Sequence, residues 1–113
     1  MNYEIVTTDF FDGKAKKLAK KYCSFHDDLE RFKKELLENP QMGVDLGDGT
    51  RKVRMAIAAK SKGKRGGARV ITYNVLVNVE NSEIYLLTIY DKSKQETISK
   101  EDIQHLKIIS GLM

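Results

Sequence analysis

Tyr3, Ile5 and Thr7 alternate with Glu4 and Val6 at the start of the chain, a period of two that predicts a short strand. Thr8 or Asp9 then offers a side-chain oxygen to the free N–H groups of a following helix. From Phe10 the spacing turns helical, with Phe10, Leu18, Tyr22 and Phe25 on a stripe that Phe11, Ala15 and Ala19 widen. Lys14, Lys16, Lys17, Lys20 and Lys21 cover much of the remainder and read as a solvated face. A second helix is expected from near Asp27 or Asp28 to about Asn39, burying Leu29, Phe32, Leu36 and Leu37. Pro40 ends it, because proline disfavours helical geometry in the residue before it. The glycine-broken stretch 41–50 reads as a loop.

The second half changes period. Val53, Met55 and Ile57 alternate with Lys52, Arg54, Ala56 and Ala58, so this strand has one apolar and one largely basic face. A loop over 59–67 leads to a strand over 68–77, a polar turn, and a near-continuous apolar strand over 84–90 that suits a central, covered position. Ser99 can cap a last helix that turns Ile103, Leu106 and Ile109 or Ser110 inward. The order βααβββα predicts one α+β domain over residues 1–113. Its mainly antiparallel four-stranded sheet carries an N-terminal helical hairpin and a C-terminal helix on one face, in two layers.

Composition adds charge polarity to this picture. Apolar residues make up 41% and charged residues 32%, and no apolar run approaches the roughly 20 residues of a membrane span. The start lacks the basic and apolar regions of a signal peptide, so a soluble chain without a membrane partner is expected. Cys23 is the single cysteine, which excludes an intrachain disulfide and fits a reduced, cytoplasmic setting. Arg51, Lys52, Arg54, Lys60, Lys62, Lys64, Arg65 and Arg69 fall in one window, and no acid occurs from Gly49 to Val79. The rest of the chain is net acidic. Such polarity favours phosphates, and an acidic protein, as partners.

The segment Lys60-Ser61-Lys62-Gly63-Lys64-Arg65-Gly66-Gly67-Ala68-Arg69 concentrates that charge between two strands. Its glycines let a bulky ligand approach the backbone. Read alone it is a solvated loop. Lys52 and Arg54 share a strand face just before it, and Arg69 enters a strand just after it, which together outline a cationic floor with a cationic lip. It is no P-loop: GxxxxGK[ST] is absent and the segment leads into a strand. His26 and His105 have no metal-ligand spacing, so neither a metal nor another cofactor is expected. No Ser–His–Asp or paired-carboxylate pattern stands out.

Three stretches resemble the RelE/ParE superfamily of toxins from bacterial toxin–antitoxin systems. They are Gly49-Thr50-Arg51-Lys52-Val53-Arg54 with the basic loop, Gly66-Gly67-Ala68-Arg69-Val70-Ile71-Thr72-Tyr73, and Ile84-Tyr85-Leu86-Leu87-Thr88-Ile89-Tyr90-Asp91-Lys92-Ser93. The pattern is most similar to the HigB-type subgroup. The resemblance implies a ribosome-dependent mRNA endonuclease that inhibits translation, cutting message in the ribosomal A site against 16S rRNA. It also implies neutralisation by a cognate antitoxin of helix-turn-helix type. Lys52, Arg54, Arg69 and Lys92 match the catalytic cations of such enzymes, with Arg69 the first candidate for the scissile phosphate. Arg51, Lys60, Lys62, Lys64, Arg65, Tyr73 and Tyr90 are the residues expected to bind RNA or ribosome. One departure stands against the match: Gln95-Glu96-Thr97-Ile98-Ser99 holds no aromatic where several relatives carry a Tyr or a His–Tyr pair. Two alternatives therefore stay open, a non-nuclease toxin of the same fold acting on DNA gyrase and an inactive RNA- or ribosome-binding module.

Overall fold

Strand β1 (Asn2–Thr7) runs into α1 (Asp9–Lys21) through Thr8, whose Oγ1 accepts from the Phe11 N–H at 3.1 Å. The computed structural model describes residues 1–60, 66–95 and 97–113. Asp9 and Asp12 in the first turn of α1, and Lys20 and Lys21 in the last, complement the helix dipole. Thr8→Ala removes the cap and is expected to cost about 1 kcal/mol of stability. Chemical denaturation with an unchanged m-value checks this.

Helix α2 (Phe25–Glu38) starts slightly earlier than the acidic residues suggest, because Phe25 is itself a core residue. It ends at Asn39, before Pro40, as expected. Strands β2 (Val44–Gly47) and β3 (Thr50–Met55) follow, then a 3-10 turn (Ala58–Lys60), β4 (Ala68–Leu76), β5 (Asn81–Asp91) and α3 (Lys100–Ile109). Ser99 caps α3, its Oγ accepting from the Asp102 N–H at 3.1 Å. No helix among the described residues is long and apolar enough to cross a membrane.

The α+β class stands, with two refinements. The sheet has five strands in the order β1-β5-β4-β3-β2 and is mixed, since β1 pairs with β5 in parallel and the other pairs are antiparallel. The added strand is β2, inside the stretch expected to be a loop. Gly47 pairs with Thr50, leaving a two-residue turn in which Asp48 and Gly49 both have positive φ, the conformation such hairpins require.

The second refinement concerns the layers. Val70 belongs to one buried cluster, with Phe11, Phe32 and Leu36 of the helix pair; its neighbour Ile71 belongs to another, with Ile103 of α3. Adjacent strand residues face opposite ways, so α3 covers the face opposite α1 and α2 and the domain has three layers. Strand β5 serves both cores. Its register against β4 shifts between Ile71↔Thr88 and Thr72↔Leu86, leaving Leu87 as the extra residue of a bulge. Ile84, Leu86 and Ile89 therefore pack under the helix pair, while Leu87 and Tyr90 pack under α3. Burying each of these large side chains contributes about 1.5–3 kcal/mol.

Candidate functional site

Strand β3 sorts its side chains as the alternation predicts. Val53 and Met55 are buried in the helix-pair core, while half-buried Lys52 and exposed Arg54 take the other face. The β3–β4 register sets Arg54 directly opposite Arg69. Two cations are thereby held side by side on neighbouring strands, in a space that Glu35 and Glu38 also line. Arg69 is only 6% exposed, and its Nη1 donates to the Ala68 carbonyl at 3.2 Å.

The edge of β3 explains why a hollow forms here. The β2–β3 pairing runs only as far as Val44↔Lys52, so the outer edge of β3 beyond Lys52 faces the C-terminal end of α2 instead of a strand among the described residues. The resulting cleft of about 750 Å³ is lined by Lys52, Arg54, Arg69 and Lys92 together with Glu35, Glu38 and Asn39 of α2. All four cations assigned to catalysis thus meet in one cavity. Gly43 forms part of its wall with φ +92, and a Cβ there would press on the Lys52 carbonyl. Gly67, at the start of β4, leaves room for the Met55 backbone in the same way.

Glu35 and Glu38 were not among the residues singled out from the sequence. Their signal was available: they are acids near the C-terminal end of a helix with no basic residue in its last turn, where the dipole disfavours negative charge. Lys52, Arg54, Arg69 and Lys92 line the same cleft and set positive charge near that end of the helix.

The residues assigned to RNA binding divide. Arg51 anchors the turn before β2, donating to the Met42 carbonyl from Nε at 3.1 Å and to the Gly43 carbonyl from Nη2 at 3.0 Å. Lys60 points inward, its Nζ 2.6 Å from Asp91 Oδ1 and 3.3 Å from the Gly67 carbonyl. The Lys92 N–H donates to the same carbonyl at 3.1 Å, so the two ends of the basic loop are cinched together. Tyr73 lies under the ammonium of Lys107, 4.1 Å from its ring centroid. Burial pushes that lysine's pKa down, with Asp48 opposing. Tyr90 is buried in the α3 core, and its hydroxyl has no hydrogen-bond partner among the described residues. Burial raises the Tyr90 pKa against the opposing charge of Arg69. Neither tyrosine lines the cleft. Lys62, Lys64 and Arg65 lie outside the described residues.

Asp91 is a heavily bonded carboxylate next to the site. It accepts from Lys60 Nζ, from Tyr22 Oη at 2.5 Å, and from both the N–H and the hydroxyl of Ser93, at 2.9 and 2.7 Å. Burial alone would raise its pKa, but these donors together hold the carboxyl well below the usual range. Asp91 therefore joins α1, the base of the basic loop and the end of β5.

Residues 15–113 match the family model described as the RelE toxin of the RelE / RelB toxin-antitoxin system. The chain belongs to the RelE toxin family. A RelE toxin works opposite an antitoxin, so an antitoxin partner follows from this membership. The cleft described above is the feature of this RelE chain whose chemistry matches the basic motifs that carried the resemblance.

Proposed function

We propose that the chain is an mRNA endonuclease of the HigB type that cuts message on the ribosome, with the cleft between β3, β4 and α2 as its active site. The reading rests on one juxtaposition: Arg54 faces Arg69 across two strands, with Lys52 and Lys92 lining the same cavity. Message in the A site, set against 16S rRNA, supplies the substrate, and a helix-turn-helix protein is the antitoxin.

The chemistry needs no cofactor. The 2′-oxygen attacks the adjacent phosphorus and loses its proton to a base; the P–O5′ bond breaks and the leaving oxygen takes up a proton. The products are a 2′,3′-cyclic phosphate and a 5′-hydroxyl. Charge grows on the phosphoryl oxygens along this path, and fixed guanidinium groups stabilise it more than they stabilise the ground state. Arg69 contacts the scissile phosphate, Arg54 and Lys52 hold the flanking backbone, and Lys92 completes the cationic wall. Ammonium and guanidinium groups are donors only, whereas carboxylates accept. The proton acceptor is accordingly assigned to Glu35 or Glu38, which share the cavity.

Primer extension on ribosome-bound message, with end-group analysis of the fragments, tests this reading. Cuts bearing 5′-hydroxyl ends are the expected result. Intact message with accumulating DNA damage would instead indicate action on gyrase, and protection without cuts an inactive binding module. Arg54→Ala should reduce cleavage about 10-fold or more with little change in stability, because Arg54 is exposed and its truncation leaves the buried core intact. Kinetics and thermal unfolding of the same preparation read both quantities.

A further inference from the structure

Helix α3 and the β2–β3 hairpin enclose a second cavity, of about 300 Å³, which shares no lining residue with the cationic cleft. Two buried polar groups line it, and neither is compensated. Lys107 of α3 is 3% exposed, yet no carboxylate pairs with its ammonium among the described residues. Its neighbour is the Tyr73 ring, whose centroid lies 4.1 Å from Nζ. Burial lowers the lysine's pKa, and Asp48 in the hairpin turn opposes that shift. Thr50 is 2% exposed, and its hydroxyl has no hydrogen-bond partner among the described residues. Val53 points into the helix-pair core, so Thr50, three residues earlier on the same strand, turns its side chain to the α3 face. The β3–β4 register sets it directly opposite Tyr73, which packs in the α3 core. The hydroxyl and the ammonium therefore meet at one ring, on the floor of one cavity.

We propose that this cavity binds a small organic carboxylate, its charged end between Lys107 and Thr50 and its short hydrocarbon body against Leu46 and Ile103. The site is separate from the cleft, so the proposal is independent of the endonuclease assignment. A buried ammonium without a counter-ion and a buried hydroxyl without a partner both cost free energy, which a bound anion with acceptor atoms offsets. A carboxylate brings two acceptor oxygens, one for each of these donors. Asp48, Lys100 and Glu101 line the rim and are exposed, which leaves it one negative charge in excess. Such a rim tolerates a monoanion and works against a phosphate dianion. Ile103 is buried and Leu46 half-buried, and together they give the ligand's body an apolar wall. The volume lies at the lower end of small-molecule sites, so that body is restricted to a few carbons. A ligand seated there bridges α3 to the β2–β3 hairpin.

The test titrates the full chain with sodium butyrate at constant ionic strength, followed by amide NMR, with butan-1-ol and inorganic phosphate as comparators. Saturable shifts are expected at Thr50, Tyr73 and Lys107, with a dissociation constant on the order of 1 mM for so small a ligand. Lys107→Met keeps the stem but removes the charge, and is expected to raise that constant about tenfold or more. Thr50→Val removes one hydrogen bond and is expected to raise it about fivefold. Asp48→Asn is expected to lower it about twofold, because a rim charge is lost while asparagine tolerates the positive φ of that turn position. Amide spectra without ligand report which variants keep the fold, and Thr50→Val with Asp48→Asn decides the matter if Lys107→Met does not. Wild-type butyrate affinity in a folded Lys107→Met or Thr50→Val chain overturns the proposal. Equal binding of butan-1-ol overturns it by reducing the site to an apolar void, and tighter binding of phosphate overturns the choice of a carboxylate. The absence of a saturable shift up to about 20 mM butyrate overturns it outright.

Discussion

Arg69→Lys is expected to slow message cleavage about 100-fold, the range seen when one preorganised donor to a developing oxyanion is lost. Lysine keeps the positive charge but gives up the planar fork that holds two phosphoryl oxygens at once. The loss should appear in the single-turnover rate on programmed ribosomes, with binding changed much less. Such a split is the signature of an interaction made chiefly in the transition state. Arg69→Ala should go further and abolish growth arrest on induction. A fully toxic Arg69→Ala chain would remove Arg69 from the active site. Far-ultraviolet circular dichroism and thermal unfolding of Arg69→Lys distinguish a chemical defect from a folding one.

Asp91→Ala is expected to lower stability by about 3–5 kcal/mol, the cost of leaving a buried charge without its partner. The Lys60 and Asp91 side chains are 7% and 4% exposed, so water reaches neither readily. For a chain of this size the melting temperature should fall on the order of 15 °C. Asp91→Asn should cost less, because its amide oxygen still accepts from Tyr22 and Ser93. The pH dependence has a definite sign. The carboxyl titrates lower in the folded chain than in the unfolded one, so its stabilisation is complete above the ordinary carboxylate range. It fades as pH falls from about 5 toward the depressed folded value. The stability gap between wild type and Asp91→Asn should narrow over that acid range, and urea unfolding at several pH values measures it. A gap that stays constant would mean that the carboxylate's charge is not what holds Lys60.

The parity of β3 made the basic face readable from sequence, since a period of two assigns Lys52 and Arg54 to one side whatever the tertiary fold. The site's position against α2 was not readable, because it depends on where β2 stops pairing. Strand β2 itself hid behind Gly43, Gly47 and Gly49, although Asp48-Gly49 is a recognised two-residue turn pair and could have exposed it. The side taken by α3 was also out of reach: the apolar run in β5 hides the bulge at Leu87 that lets one strand face two cores. Lys60 and Arg51 illustrate a further limit. Sequence gives charge and neighbourhood, but it does not reveal that Asp91 and the 42–43 carbonyls claim those two cations.

The lane order of the sheet also constrains when this chain can complete its cleft. Asn2 finds its strand partner at Asn81, 79 residues later, and β5 stands between β1 and β4. During synthesis the first strand therefore waits, unmatched, for 79 further residues, and Lys92, which lines the cavity, emerges after that. Closure of so long a loop is slow compared with helix formation. On the proposed reading the cavity is complete only once Lys92 has been made, which leaves an interval for an inhibitor already present to meet the chain as it folds.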